Sequence, residues 1–267
     1  MANYSFNRNC GYPPLNERDC GCYGETADVC SCCEQNPADT CHPPQETVDP
    51  HACTCCKASM RDALKLLCCN AISDLVNFDA FAFISDINYV GTTPIALTAD
   101  TNDNLDGFEG SFRRFSPCNC DLLDITGTVY TPSGLTVAVN QANLCTLNAI
   151  AFELLPAPTP VVECSCDTDA NRFRRVRELL QCELRRTSLP CGECAAHCNC
   201  TDDCCCTDGV LNALSGASLS RRATLSAGLL SVQEVSVLGS IGTVLVLANE
   251  TQGRFYFVCA NKVDFFA

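Results

Sequence analysis

The placement of the cysteines constrains this chain more than any other feature. The segment TDDCCCTDGVLNAL carries three of them side by side, Cys204, Cys205 and Cys206. Neighbouring residues are poor disulfide partners, because consecutive Cα atoms lie about 3.8 Å apart and an unstrained disulfide needs roughly 4.4–6.8 Å. Each of these thiols must therefore bond to another part of the chain, to another chain or to a metal.

The spacing of the other cysteines favours cross-linking. Seven C-x-C pairs occur, and in an extended segment residues two positions apart lie on the same side while adjacent residues lie on opposite sides. A C-x-C pair thus presents two thiols to one surface, a C-C pair presents them to two, and the triplet does both. This layout favours a chain that ties itself to its neighbours; a monomer with internal bridges stays open as the alternative. The candidate cross-linking residues are Cys32, Cys33, Cys55, Cys56, Cys68, Cys69, Cys204, Cys205 and Cys206.

The cellular compartment is a problem for this interpretation. With 26 cysteines in 267 residues, the composition is typical of disulfide scaffolds in oxidising surroundings. The N-terminal segment MANYSFNRNCGYPP has no secretory signal pattern, and no run of about 20 apolar residues predicts membrane insertion. Three explanations are open: the thiols bind metal in a reducing cytosol, the chain was trimmed, or the protein is oxidised later, as when a mother cell lyses and releases a spore.

Charge and histidine content exclude several function classes. The net charge of −14 argues against a nucleic-acid partner, which requires concentrated Lys and Arg. A cysteine nucleophile requires a positioned histidine, and the three histidines all lie in cysteine-dense, loop-like segments. No nucleophile elbow, phosphate-binding loop or zinc-protease motif is present. We therefore predict that the protein is not an enzyme and needs no cofactor.

A zinc site is the main alternative function. The segment CGECAAHCNC offers Cys191, Cys194, His197 and either Cys198 or Cys200, and C-x-x-C is half of many zinc sites. Because a chain this rich in cysteine contains such spacing by chance, we predict no metal site. The acidic stretch Thr98–Gly110 lacks the regular spacing of a calcium loop and is predicted to be a solvated loop.

Two segments have the periodicity of amphipathic helices. From Ser59, a predicted N-cap, apolar residues recur at helical spacing as far as Leu75. The segment DANRFRRVRELLQCEL predicts a second helix with one apolar side and one arginine-rich side. That arginine-rich side is either a docking face for an acidic neighbour or a solvated face with an Arg174–Glu178 pair.

The remaining segments predict strands. They are FAFISDINYV, IALTA, ITGTVYT, LTVAV and NAIAFELL in the first part of the chain, with a hairpin turn at Thr131–Gly134, and LLSVQEVSVLG, GTVLVLA, RFYFV and KVDFF at the end. The fold class is therefore α+β, dominated by β-structure.

An internal repeat is indicated at an offset of 150 positions. Cys53–Leu64 aligns with Asp203–Leu214, so that Cys56 matches Cys206 and Leu64 matches Leu214. A second alignment matches ISDINYVG with VQEVSVLG, and Cys145 with Cys259. We predict two related helix-plus-sheet units joined by cysteine-rich connectors.

The predicted organisation has four parts. Residues 1–52 form a cysteine-rich arm and 53–163 the first α+β unit. Residues 164–203 form a cysteine- and arginine-rich connector with one helix, and 204–267 a second, shorter α+β unit.

The motifs CTCC, CSCCE and DCCC carry a resemblance to a known family. In these motifs, and in its acidic character and strand-rich segments between cysteine belts, the chain resembles the cysteine-rich exosporium basal-layer proteins of clostridial spores (CsxA-like). The resemblance implies self-assembly into a disulfide-locked two-dimensional crystalline lattice, hexagonal and hexamer-based, in the exosporium or outer coat. It also implies synthesis in the mother-cell cytoplasm without a signal peptide. The partners would be other copies of the chain and other spore-surface proteins.

Overall fold

One antiparallel sheet organises the computed structural model of this protein. The structure describes residues 56–68, 70–87, 104–105, 107–116, 122–130, 133, 135–158, 167–187, 208–215 and 222–267. The helices are α1 (Lys57–Leu66), α2 (Asn70–Ser73), α3 (Asp169–Thr187) and α4 (Asp208–Ser215). The strands are β1 (Val76–Ser85), β2 (Asn104–Leu105), β3 (Gly107–Phe115), β4 (Leu122–Tyr130), β5 (Thr136–Asn143), β6 (Leu147–Leu154), β7 (Arg222–Ala227), β8 (Leu230–Ile241), β9 (Val244–Asn249), β10 (Arg254–Cys259) and β11 (Val263–Phe266).

The order of the strands shows that both ends of the chain build the same sheet. Along the sheet the order is β11-β7-β8-β9-β10-β6-β1-β3-β4-β5, and β2 pairs with β8 beside this path. Every neighbouring pair is antiparallel. The junction of β10 with β6 joins strands that are about a hundred positions apart in sequence, with Phe255 opposite Phe152.

The central strands are buried on both faces, which explains their continuous apolar sequence. Alternate residues of β1, β6 and β10 point to opposite faces and enter two clusters. The first core contains Phe81, Phe83, Phe152, Phe255 and Phe257 and is covered by α1 and α3. The second core contains Ala82, Ala151, Tyr256 and Val258 and is covered by α4. Stacked aromatic rings hold the first core together, with centroids 5.5 Å apart for Phe81–Phe152 and Phe152–Phe255, and 4.5 Å for Phe173–Phe255.

The first predicted helix is confirmed in its apolar side but not in its bounds. Met60, Leu64 and Leu67 are fully buried as expected. The predicted N-cap is wrong: Cys56 holds that position and Ser59 lies inside α1. The helix also ends early, because the N–H of Leu67 bonds to the carbonyl of Leu64, three residues back, and the last turn tightens.

The predicted strands that lie in the described residues are present in the structure, but β2, β3 and β7 were not predicted. The segments around NAIAFELL, RFYFV and KVDFF form β6, β10 and β11, and β4 and β5 pair across the predicted hairpin, with Tyr130 opposite Thr136. IALTA lies outside the described residues. The predicted acidic loop at Thr98–Gly110 is wrong where the structure describes it, because Asn104–Leu105 is β2 and β3 begins at Gly107.

The glycines of β3 serve close strand packing. A Cβ at Gly107 would overlap the carbonyl oxygen of Phe83, and one at Gly110 would lie 3.0 Å from the carbonyl oxygen of Thr126. Glycine in a strand often marks such a close backbone approach.

The β-dominated α+β class is confirmed. The strands assigned to the two predicted units lie in one continuous sheet, and their division into two units with cysteine-rich connectors stays a prediction. Residues 1–52, 164–166 and 188–203 lie outside the described residues, so the predicted arm and connector also stay predictions. The weaker alignment is not reproduced in the strand order: Ile84 lies in the first strand after α1, whereas Val232 lies in the second strand after α4.

Candidate functional site

A disulfide joins the start of α1 to the end of β10. Cys56 is the N-cap of α1 and Cys259 the last residue of β10; their Cα atoms are 5.9 Å apart although 203 positions separate them in sequence. Both residues are buried, at 4% and 1% exposure. The bond therefore fixes α1 against the strand that forms the junction of the sheet.

A second contact holds the same helix against the turn between β8 and β9. The Ser59 Oγ accepts a hydrogen bond from the Thr243 N–H at 3.0 Å and lies 3.2 Å from the Thr243 Oγ1. The neighbouring Gly242 has a φ of +51°, and a Cβ there would overlap the Ser59 Oγ. This use of Ser59 explains why it does not cap its own helix.

The structure describes only part of the predicted cross-linking set, whose bonds between chains stay a prediction. Cys56 is in the disulfide to Cys259, and Cys68 is also disulfide-bonded. Cys32, Cys33, Cys55, Cys69, Cys204, Cys205 and Cys206 lie outside the described residues.

Three bonded cysteines were not in that set. Cys145, Cys182 and Cys259 are disulfide-bonded. Cys182 follows the buried Leu179 by three positions on α3, so its place beside the apolar stripe was a usable signal. Nothing in the sequence pairs Cys56 with Cys259, because spacing does not determine connectivity.

A buried ion pair crosses the junction between β10 and β6. The Arg254 Nη2 lies 2.7 Å from the Glu153 Oε1, and the Nε of Arg254 donates to the same oxygen at 3.1 Å. Arg254 is 1% exposed and stands directly opposite Glu153 in the register. Burial opposes the charged form of Arg254, but Tyr256 and Glu153 together outweigh it, and the pKa of Arg254 is raised.

A polar cluster lies where β1 and β6 meet the turn between β7 and β8. The Asn148 Nδ2 donates to the Asp86 Oδ1 at 2.6 Å, and the Lys262 Nζ lies 3.2 Å from the Asp86 Oδ2. The hydrogen bond from Asn148, assisted by Lys262, outweighs burial and lowers the pKa of Asp86. Gly228, with a φ of +56°, fits against this cluster because a Cβ there would overlap the Asn148 amide.

The arginine-rich side of α3 makes contacts within the chain. Arg172 holds Asp167 through two 2.6 Å hydrogen bonds, which lower the pKa of Asp167. Arg177 pairs with Glu250 at 3.4 Å, and Arg174 donates to the Asn171 Oδ1 at 3.1 Å. Docking of this side on an acidic neighbour stays a prediction.

The two end strands of the sheet carry most of the exposed apolar surface. Six large apolar side chains are exposed among the described residues. Four of them belong to the end strands: Leu135 and Val137 at β5, and Phe265 and Phe266 on β11. A cavity of about 300 Å³ adjoins β5, with Val129, Val139 and Ala142 in its lining. A smaller one of about 170 Å³ adjoins β11, between Leu214 and Phe266.

Comparison with known proteins places this sheet in a family. The family described as spore coat protein CotA-like matches residues 53–267. The chain is 31% identical over 272 residues to the spore coat protein CotA of Clostridioides difficile (strain 630), an alignment that covers 80% of this chain and 83% of that protein. This chain belongs to the CotA-like spore coat protein family. No solved structure gives a significant match.

The family match covers all of the described part of this CotA-like chain, from Cys56 to Ala267. It confirms the resemblance to surface proteins of clostridial spores. The family is described as one of coat proteins, which is consistent with the prediction that the chain is not an enzyme.

Two other expectations about the CotA-like chain concern metals and membranes. Among the residues that the structure describes, no three His, Cys, Asp or Glu side chains form a group able to hold a metal ion. The candidate zinc ligands Cys191, Cys194, His197, Cys198 and Cys200 lie outside those residues. Within the same described ranges, no helix combines the length and the apolar character needed to cross a membrane.

Proposed function

We propose that this chain is a structural subunit of the outer layer of a bacterial spore, in the exosporium or outer coat. It assembles with copies of itself into a two-dimensional lattice of hexagonal order, as its resemblance to exosporium basal-layer proteins implies. The family match over residues 53–267 carries the proposal. The sheet supports it, because both end strands expose apolar side chains that a neighbouring copy would cover.

Disulfides lock this layer in the proposed arrangement. All five cysteines that the structure describes with their side chains are disulfide-bonded: Cys56, Cys68, Cys145, Cys182 and Cys259. The oxidised state of the chain is therefore the one that suits its fold. The cysteine-dense segments outside the described residues, including the triplet Cys204–Cys206, supply thiols on several surfaces for bonds between copies.

The proposed life history resolves the conflict over the compartment. The chain is made in the mother cell, assembles on the forespore while its thiols are reduced, and is oxidised when the mother cell lyses. Non-covalent contacts set the geometry of the layer first, because a disulfide forms only between Cα atoms already within about 7 Å. Other spore-surface proteins are further proposed partners.

Electron microscopy combined with denaturing gels tests the proposal. The purified chain should form ordered sheets, and boiling these in detergent with reductant should release monomers near 28.7 kDa. Boiling without reductant should leave cross-linked species at the top of the gel. A variant with Cys204, Cys205 and Cys206 replaced by serine is the matched control for the triplet's share of the cross-links. Discrete particles in place of sheets would contradict assembly, and monomers released without reductant would contradict cross-linking.

A further inference from the structure

Apart from β2, which pairs with β8 beside the path, the sheet consists of two groups of five strands with the same internal order. In the first group the spatial order is β6-β1-β3-β4-β5, and in the second it is β11-β7-β8-β9-β10. In each group four strands follow one another as a meander and the fifth returns to pair with the first. A helix precedes each group, α1 for the first and α4 for the second.

The two groups also agree in local detail. A 3₁₀ turn separates the fourth strand from the fifth in both, Leu144–Thr146 in one and Ala260–Lys262 in the other. The residues before these turns, Asn143 and Cys259, are 116 positions apart (259 − 143), and so are the residues after them, Leu147 and Val263 (263 − 147).

A register shift recurs at the same place in the fifth strand. In the first group it leaves Asn148 without a pairing partner between Leu147 and Ala149. In the second group it leaves Asp264 in the same situation between Val263 and Phe265. Asn148 and Asp264 are again 116 positions apart. Their side chains also bond to equivalent places: Asn148 donates to Asp86, one residue after β1, and Asp264 accepts from the N–H of Gly228, one residue after β7.

The two groups face opposite sides of the sheet. Helix α1 packs on the first core and α4 on the second. Because each group has five antiparallel strands, an odd number, equivalent strands of the two groups run in opposite directions. Both facts correspond to a half-turn about a line that crosses the strands, combined with a shift along the sheet.

The junction inside the chain joins the fourth strand of one group to the fifth strand of the other. Strand β10 is the fourth strand of the second group and β6 the fifth of the first, and they pair from Arg254–Glu153 to Val258–Ala149. The strands at the ends of the path are the two remaining equivalents: β5 is a fourth strand and β11 is a fifth strand. Each end of one chain therefore has the strand type that the other end lacks.

We propose that β11 of one copy pairs with β5 of the next, as β6 pairs with β10 inside the chain. The path contains ten strands, so its two end strands run in opposite directions and a repeat along the sheet stays antiparallel. Within the chain, Val258 stands opposite Ala149 and Phe257 opposite Ile150. Adding 116 to the β6 positions gives their equivalents in β11, and subtracting 116 from the β10 positions gives their equivalents in β5. The same register therefore places Phe265 of one copy opposite Ala142 of the next, and Phe266 opposite Gln141.

The cavity beside β5 fits this register. Residues directly opposite each other on antiparallel strands project to the same face, so Phe265 projects to the face that holds Ala142. Ala142 lines the 300 Å³ cavity, six of whose ten lining residues are apolar; the other four are Ser85, Gln141, Asn143 and Thr146. Phe265 is 60% exposed within its own chain. Docking would move this exposed ring into a mainly apolar recess, which is the usual arrangement of an anchor residue at an interface.

The contact is head-to-tail, because each copy uses a different surface at each end. Such a contact generates rings when its rotation closes and open rows when it does not, and both suit a layer built from many copies. The proposal rests on the proposed function, since it specifies the contact through which the chain assembles. A short strand pair is a weak contact alone, so we expect assembly to depend steeply on protein concentration.

A photo-crosslink tests the register directly. The full chain carrying a photoreactive phenylalanine analogue in place of Phe265 is assembled with an equal amount of isotope-labelled chain and irradiated. We expect crosslinks between labelled and unlabelled chains that map to the peptide containing Thr136–Asn143. Ordered sheets whose crosslinks map elsewhere, or that give no crosslinks, overturn the β11–β5 pairing while leaving the proposed function intact.

A pair of matched substitutions tests the energetic role of the contact. Phe265→Asp should raise the concentration needed for assembly by about tenfold or more. The ring that would fill the recess is absent, and a carboxylate would instead be placed against mainly apolar side chains. Leu155→Asp also replaces an exposed apolar side chain, 40% exposed but away from both end strands, and should change that concentration by less than about twofold.

The two experiments separate failure of the inference from failure of the proposed function. Phe265→Asp should keep the thermal unfolding midpoint of the parent chain, because its side chain is exposed, so a loss of assembly cannot be attributed to unfolding. If Phe265→Asp assembles at the concentration of the parent chain, the inference is wrong. If the parent chain itself forms no assemblies, the proposed function is wrong and the inference falls with it.

Discussion

Strands β6 and β11 occupy equivalent places in the two groups, yet their environments differ sharply. Each follows a 3₁₀ turn and pairs with the first strand of its group. The first six residues of β6 are buried, whereas β11 exposes Asp264, Phe265 and Phe266. The difference is the second neighbour: β6 has β10 beside it, and among the described residues β11 has only β7.

The fourth strands of the two groups, β10 and β5, show the same contrast in burial. All six residues of β10 are buried, whereas most of β5 is exposed. Natural proteins protect end strands against uncontrolled pairing by keeping them short or polar, and β5 carries Asn140, Gln141 and Asn143 accordingly. Strand β11 is short but places two phenylalanines in solvent. The comparison indicates that burial in this sheet is decided by the neighbouring strand, and that the ends are the places a further copy would complete.

The largest expected effect is the difference in unfolding free energy when the same substitution, Phe to Ala, is made in the two equivalent strands. Phe152→Ala in β6 should destabilise the chain by about 3–5 kcal/mol, because removing a buried ring that contacts three other rings leaves a cavity. Phe265→Ala in β11 should cost less than about 1 kcal/mol in the unassembled chain, because the ring is exposed. Denaturant unfolding of both variants measures the difference. Equal losses would break the comparison.

The junction itself is tested by its ion pair. Glu153→Ala removes the carboxylate partner of the buried Arg254, and should cost roughly 3 kcal/mol in unfolding free energy. The control is Glu250→Ala, which removes the partner of Arg177 from an exposed pair and should cost about 0–1 kcal/mol. A loss for Glu153→Ala as small as that of its control would show that the pair does not support the β10–β6 junction.

The disulfide that ties α1 to the junction should contribute somewhat less. Replacing Cys56 and Cys259 together by alanine should lower the unfolding free energy by about 2–4 kcal/mol, the usual range for a native bridge. Ser59→Ala keeps the bridge but removes the contacts of the same helix with Thr243, and should cost about 1 kcal/mol. An unchanged unfolding midpoint in the double variant would show that packing alone fixes α1.

The smallest expected effect is the change in the stability contribution of Asp86 in acid solution. Because its pKa is lowered in the folded chain, ionised Asp86 stabilises the fold at pH values above its unfolded pKa of about 3.9. That contribution is lost as the pH falls through the folded pKa. The stability gap between the parent chain and Asp86→Asn should therefore be constant from about pH 5 to 7, below about 1 kcal/mol, and shrink in more acid solution. A gap that widens in acid would contradict the assignment.

Local patterns predicted the elements well because burial imposes them. The run NAIAFELL is apolar at successive positions because β6 is buried on both faces, and the α1 stripe of Met60 and Leu64 repeats at helical spacing because one face packs on the sheet. Strand β3 was missed because its first residues belong to the acidic stretch Thr98–Gly110 that was interpreted as a solvated loop, and β7 was not predicted either.

The long-range arrangement could not be predicted in the same way. Joining β10 to β6 depends on pairing Arg254 with Glu153, and closing the bridge from Cys56 to Cys259 spans 203 positions. Neither choice leaves a periodic signal in the sequence. The helix-start similarity is visible because α1 and α4 share their apolar pattern, whereas the order of the strands that follow leaves no comparable pattern in the sequence.

Hydrogen exchange of the two end strands tests the central claim most directly. The exchange rate of each peptide is measured below and above the concentration at which the chain assembles, and the two rates are compared. We predict that amides of Thr136–Asn143 and Val263–Phe266 slow by about tenfold or more on assembly, because they gain strand pairing, while those of β6 and β10 are slow in both states. Ordered sheets in which both end strands exchange as fast as in the unassembled chain would contradict the claim.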